Sequence, residues 1–198
     1  MRGSAWPAML FLAAIGVLSP ASARADWVRG PALAVGVSAG AGAAKSPYWP
    51  AKAQSWLSTR LLVEAPLAAF LGLGFSLGYH LVDDSNTAAG FLYRGYNGLE
   101  AGTCLLLRSR LAPDRPRGGI AVGGSASFDV YNRTELLFFY PSLTAEPYLE
   151  LPSEGPPRHT FGLGLPCRLD FRRDMELSAS IGLGVRWRWY PKWKLEGA

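Results

Sequence analysis

Small or polar residues alternate with apolar ones along this chain with a period of two, and the run is longest near its C-terminal end. Leu177, Ala179, Ile181, Leu183, Val185, Trp187 and Trp189 share one parity; Ser178, Ser180, Gly182, Gly184, Arg186 and Arg188 share the other. Successive side chains of a strand point to opposite faces, so this segment has one apolar face and one small or charged face. No helical period accounts for it. Leu71–Leu81 repeats the pattern, with Leu, Phe and Tyr at odd positions and Gly, Ser and His at even ones. A membrane helix over Leu61–Leu81 would have to accommodate Glu64, Pro66, Gly72, Gly74 and Gly78, whereas a strand needs no such allowance. Six further segments alternate: Leu33–Gly40, Leu57–Glu64, Leu99–Arg108, Ile120–Val130, Leu143–Leu151 and Phe161–Asp170. Together they predict eight strands, each near the roughly nine to eleven residues that a tilted strand needs to cross a bilayer. Eight is also the smallest strand number of single-chain bacterial barrels.

Composition sharpens this picture. The chain of 198 residues is 49% hydrophobic and only 18% charged, with 23 Gly, 7 Trp, 8 Tyr and 9 Phe. So few charges on so many glycines and aromatics suit a membrane barrel better than a soluble enzyme. The net charge is +5, and Arg2 and Arg24 lie in the N-terminal leader described next. No Lys/Arg run tracks phosphates, which excludes nucleic acid as a partner class. Cys104 and Cys167 form no CxxC and have no neighbouring His, so no metal site is expected. Parity sends Cys104 to the lumen and Cys167 to the outer face, on strands that do not adjoin, and predicts two free thiols.

Residues 1–25 have the form of a secretory signal. Arg2 precedes the apolar run Ala8–Leu18, Ser19-Pro20 breaks it, and Ala23-Arg24-Ala25 is an A-x-A cleavage site ahead of Asp26. The alternative is an uncleaved anchor helix, for which the run is short. The expected organisation is a signal peptide (1–25), a barrel (26–190) and a C-terminal tail (191–198).

The direction of the apolar face decides what kind of barrel this is. A soluble barrel would turn its Gly, Ser and Ala face to water, which would solubilise it poorly. The same face suits a narrow interior, because eight strands leave room only for packed side chains. The charges on that face carry both signs: Arg60, Glu64, His80, Glu100, Arg108, Asp129, Glu146, Glu150, Arg168, Asp170, Arg186 and Arg188. They read as an interior charge network, since buried charges persist when paired. Short connections at 65–68, 112–117 and 152–157 contain proline and read as turns. Longer ones at 42–55, 82–98 and 131–142 read as outer loops; Arg172-Arg173-Asp174 is a short exception. Aromatics cluster at strand ends, and Trp56, Tyr79, Trp187, Trp189, Tyr190 and Trp193 are the expected membrane-interface girdle. Pro147 and Pro166 fall inside strands and predict a bulge or irregularity.

On these grounds the span Ala32–Tyr190 resembles the small eight-stranded outer-membrane barrels of the OmpA, OmpX and OmpW kind. The resemblance implies an all-β, antiparallel, up-and-down transmembrane barrel in a bacterial outer membrane, built with barrel-assembly machinery and surrounded by outer-membrane lipid. It is architectural and carries no function. Such proteins usually end on a strand with a terminal aromatic, whereas this chain runs on through Pro191–Ala198.

Some eight-stranded barrels of this kind modify lipid A, which raises two enzyme classes. A lipid A deacylase arrangement finds no His–Ser pair, as His80 precedes Leu81-Val82 and His159 precedes Thr160-Phe161. A lipid A acyltransferase arrangement has His80, Asp83, Asp84 and Ser85 close together, where a base could activate a hydroxyl. That composition also suits an ordinary loop. The leading expectation is non-catalytic and needs no cofactor: a structural or surface-interaction role, with any extracellular ligand bound by 82–98 and 131–142. The alternative is a porin-like narrow channel for small or hydrophobic solutes.

Overall fold

The computed structural model describes residues 27–29, 31–68, 70–83, 95–109, 116–131, 137–151, 159–172, 176–191 and 193–195. The signal-peptide reading of 1–25 lies outside them. The strands are β1 (Trp27–Arg29), β2 (Ala32–Ser46), β3 (Trp49–Pro66), β4 (Leu71–Asp83), β5 (Tyr96–Arg108), β6 (Arg117–Tyr131), β7 (Leu137–Glu150), β8 (His159–Gly164), β9 (Cys167–Phe171), β10 (Leu177–Trp189) and β11 (Trp193–Leu195).

From β2 to β7 each strand pairs antiparallel with the next. β7 pairs with both β8 and β9, these two pair with β10, and β10 returns to β2. β8 and β9 keep one register against both neighbours, so they are two halves of a single wall strand. The result is a closed ring of eight. Its closing seam runs from Leu177 opposite Lys45 to Trp189 opposite Leu33. Closure leaves the wall no open edge, which a strand-built wall in hydrocarbon requires.

Parity then sorts the side chains. Leu77, Leu99 and Leu183 are 63%, 64% and 72% exposed on the outer wall, with Val37, Phe75, Phe128, Phe139 and Ile181 beside them. A continuous apolar surface of this kind on a closed barrel is a lipid-facing wall. Glu64, Arg108, Arg117, Glu150 and Arg188 are buried inside.

Strand limits run past the expected ones at several turns and loops: β3 continues to Pro66 in the 65–68 turn, and in the 82–98 loop β4 reaches Asp83 and β5 opens at Tyr96, because strand pairing continues where alternation fades. The 42–55 loop is instead a hairpin: β2 and β3 run on to Ser46 and Trp49, with one register shift between Ala44 and Ser46. The Tyr48 backbone N–H donates to Ser46 Oγ at 3.3 Å and helps to close the turn. Residues 137–142, expected in a loop, begin β7. Their apolar character is alternation again, with Leu137 and Phe139 exposed and Tyr140 buried. Arg117, expected in a turn, opens β6.

The two strand prolines behave differently. At Pro166 the wall strand breaks between β8 and β9. At Pro147 β7 continues without a register shift, opposite Ile120. Leu165 N–H donates to the Pro147 carbonyl at 2.9 Å, and Gly182 N–H to the Pro166 carbonyl at 2.9 Å. Each proline therefore costs its rung one hydrogen bond and keeps the other. The Cys167 thiol, 3.6 Å from the Leu165 carbonyl, contacts the group that Pro147 has no N–H to meet. Cys104 and Cys167 are both free thiols.

Interior glycines make room for large neighbours. Trp56 lies opposite Gly40, which lies opposite Gly182. A Cβ at Gly40 or Gly182 would stand 2.7 or 2.6 Å from the indole. Gly182→Ala is therefore expected to lower unfolding free energy by about 1–3 kcal/mol, the range for overpacking. Gly124→Ala, whose Cβ would meet only the Ser142 carbonyl at 3.5 Å, should leave it unchanged. Urea titration of the heat-modifiable band checks both.

Candidate functional site

The site is the lumen, and its two ends are built differently. At the end holding the termini and short turns, Glu64 from β3, Glu150 from β7 and three arginines from β5, β6 and β10 meet. Arg188 lies between the acids, 2.7 Å from Glu64 and 2.7 Å from Glu150. Arg108 is 2.7 Å from the other Glu64 oxygen, and Arg117 is 3.2 Å from Glu150. Tyr190 Oη donates to Glu150 at 2.6 Å and accepts from Arg117 at 3.2 Å. Thr160 Oγ1 also donates to Glu150. Arg188 and Arg186 lie 5.2 and 5.3 Å from the Tyr148 ring centroid, in cation–π range.

Toward the other end the network crosses the lumen. Arg186 pairs with Glu146, which is 3.9 Å from Arg60, and Arg60 donates to Glu100 at 3.1 Å. Arg168 pairs with both Glu100 and Asp170. Arg172 pairs with Asp170 at 3.1 Å and Glu176 at 2.8 Å. Beside this chain, His80 Nε2 is 2.9 Å from Asp129, which also accepts the Tyr140 hydroxyl at 2.7 Å. Above it, Arg172 lies over the rings of Tyr96 and Tyr140 at 4.5 and 5.5 Å, and Phe138 packs against both rings. Aromatics and a guanidinium thus cover this end of the described lumen.

Space inside is small. Among the described residues, cavities of about 40, 30 and 20 Å³ lie in the lumen, and Arg60 and Glu146 line each of these. Each can hold water, at ≳10–15 Å³ per molecule. Among the described residues no group of His, Cys, Asp and Glu could hold a metal ion.

All twelve expected network residues lie on the lumen face, and the structure ties each into the contacts above. The reading missed Arg117, Arg172, Glu176, Tyr140, Tyr190 and Thr160. Three of these, Arg117, Tyr140 and Arg172, fall in segments expected to be turns or loops; for Arg117 and Tyr140 the continuing parity is the available signal.

The girdle needs correction at two positions. Trp56 shares its parity with Gln54, Ser58 and Arg60 and lies inside over Gly40 and Gly182, because only paired glycines give an indole room there. Tyr190 is 2% exposed and caps the Glu150 cluster, because its hydroxyl serves a buried carboxylate. Tyr79 is on the outer wall, donating to Asn97 at 3.1 Å, as are Trp189 and Trp187, the latter stacked on His159. Trp193 lies in β11, and its side chain is outside the described set. His80 is buried against Asp129; Asp84 and Ser85 of the acyltransferase arrangement lie outside the described residues.

No family model and no characterised sequence matches the chain. Among solved structures it is similar to Neisserial surface protein A, at 13% identity and a TM-score of 0.49, over 80% of this chain and 98% of that one. It is also similar to Ail, the attachment invasion locus protein of Yersinia pestis, at 11% identity and 0.46, over 82% and 100%. Ail in complex with the heparin analogue sucrose octasulfate compares at 9% identity and 0.44, over 81% and 99%. At these identities the likeness concerns architecture alone.

Removing one member of a buried ion cluster leaves its partners charged and unpaired, which costs about 3–5 kcal/mol. Arg188→Met removes the cation shared by Glu64 and Glu150, which keep Arg108 and Arg117 as partners, and is expected at the lower end of that range, about 3 kcal/mol. Lys52→Met, at an exposed position, should stay within about 0.5 kcal/mol. Equilibrium urea unfolding in lipid vesicles measures the difference.

Proposed function

We propose that this chain is a bacterial outer-membrane barrel with a closed, charge-filled lumen and a non-catalytic structural or surface-interaction role. The observation that carries the reading is the ion-pair network from Glu176 to Arg186, joined by the Glu64–Arg188–Glu150 cluster beneath it. Arginines from several strands meet acids from strands across the lumen, so the side chains fill the bore. The apolar outer wall supports a membrane location, and the leader at 1–25 supports export. The short-turn end then faces the periplasm and the long connections face outward. With 137–142 in a strand, the segment 84–94 becomes the main place for an extracellular ligand, together with 132–136. Barrel-assembly machinery and outer-membrane lipid are the expected partners.

The acyltransferase alternative has less support, because both Asp129 and Tyr140 engage His80 inside the lumen. The channel alternative has one observation in its favour: the three cavities converge on Arg60 and Glu146, which are separated by a single 3.9 Å contact.

Solute flux into liposomes decides between closed barrel and channel. The chain is purified from membranes, reconstituted, and accepted for assay when its gel band shifts on heating. The expected outcome is flux equal to that of empty liposomes. Flux above that level overturns the closed-lumen reading and makes Arg60 and Glu146 the first residues to substitute.

A further inference from the structure

The lumen is not charged along its whole length. Paired residues followed once around the ring lead from Ala34 to Ala44, ten residues further along β2. The strands therefore tilt, and each step to the next strand climbs just over one residue away from the termini. With that climb allowed for, Ala34 of β2, Leu62 of β3, Leu106 of β5, Ala121 of β6 and Tyr148 of β7 stand at nearly one level. All lie on the lumen face, and none is more than 8% exposed. β4 contributes Gly74 at this level, and its neighbours cover it: a Cβ there would stand 2.9 Å from Leu62 Cδ1 and 2.6 Å from Cys104 Sγ. Arg186 of β10 starts at the same level, and its guanidinium leaves it to pair with Glu146.

This apolar layer separates two charge systems. On the side of the termini lie Glu64, Glu150 and their three arginines; on the other side lies the network from Arg186 to Glu176. Among the described residues none of these ion pairs crosses the layer. Tyr148 touches both systems, with its ring in cation–π range of Arg186 and of Arg188.

The lumen cavities end on the layer. Ala34 and Leu62 border the cavity of about 30 Å³, Leu62 and Ala121 the one of about 20 Å³, and no member of the Glu64–Arg188–Glu150 cluster borders either. Buried polar atoms with no hydrogen-bond partner in the protein belong to residues that line these spaces. Trp56 Nε1 and His80 Nδ1 are at the largest cavity and Arg186 Nη1 at the other two. Water in the cavities supplies those bonds.

We propose that this layer, and not the ion pairs, is the permeation barrier of the barrel: water enters from the outer end, hydrates the network around Arg60 and Glu146, and stops at Leu62 and Leu106. This assignment rests on the closed-lumen reading. Charged groups exchange partners with water and let it pass, whereas a narrow apolar constriction offers no hydrogen bond and stays dry.

Stopped-flow osmotic shrinkage of proteoliposomes tests this, with the full chain purified from membranes and every sample required to be heat-modifiable. Four proteins are compared: wild type, the network variant Arg60→Gln/Glu146→Gln, the layer variant Leu62→Ser/Leu106→Ser, and Leu106→Asn. The last keeps a side chain close to leucine in volume and decides the matter should the serine pair fail to fold. Wild type and the network variant are expected to shrink at the rate of empty liposomes, and the layer variants severalfold faster. A network variant that shrinks faster than wild type overturns the proposal, as do heat-modifiable layer variants that shrink at the empty-liposome rate. Wild type that passes water but no solute also overturns it and leaves the lumen closed to solutes. Wild type that passes solute removes the closed-lumen reading itself.

Discussion

The hydrogen-bonded seam between β2 and β10 is the constraint on which the rest depends. Once first and last wall strands pair, every strand has two neighbours and every side chain has only two directions, in or out. A slip of one residue at the seam would exchange the two faces of a strand. Val185 and Trp187 would then enter a lumen full of charge, and Arg186 and Arg188 would enter hydrocarbon. The seam holds one register from Leu177 to Trp189, so both penalties act together to fix it.

Closure also forces the chemistry of the interior. Eight strands leave a bore too narrow for bulk water, so a charge inside must find its counter-charge from another strand. Arg188 does this for two acids at once, and Glu100 for two arginines. Such clusters do not by themselves make a protein more stable, because desolvation opposes the attraction. They penalise incomplete assembly instead. A barrel lacking one strand would leave a buried carboxylate or guanidinium alone, so the network favours the fully closed ring over partial ones. Glycine completes the arrangement. Gly182 and Gly40 give up side chains so that Trp56 can lie flat, and Gly164 and Gly98 do the same beside Glu146 and Asp129.

Period-two alternation made the strand centres legible in the sequence, because lipid outside and a packed lumen inside impose opposite chemistry on successive residues. β10 was read to its ends for that reason. Strand ends were less legible, since both faces meet polar surroundings near the rim and the contrast fades. Hence Ala43, Lys45 and Ala53 were assigned to a loop and belong to a hairpin. Tyr140 was hidden in an apolar run, where alternation between Phe139 outside and Tyr140 inside changes size and a hydroxyl but not hydrophobic class. Trp56 and Tyr190 were misplaced because an aromatic near a strand end suits either an interface or a polar lumen. The partner decides, and here the partners are two glycines on other strands and a carboxylate forty residues away in sequence. Neither can be read from local spacing.

The terminal segments show how far the seam's register reaches. β1 and β11 pair with Trp27 opposite Leu195 and Arg29 opposite Trp193, which is the continuation of the β2–β10 register. That continuation sets Pro31 opposite Pro191. Neither has an N–H, and the seam's ladder ends at Leu33 opposite Trp189 and resumes at Arg29 opposite Trp193 as a two-stranded ribbon. Paired prolines at this point serve a geometric purpose. A rung that cannot bond on either side separates the ladder of the ring from that of the ribbon, so neither constrains the other's bonded rungs. The C-terminal extension, which departs from the resemblance to barrels that end on their last strand, is by this argument an outgrowth of the seam itself: the same two strands, past the wall they close.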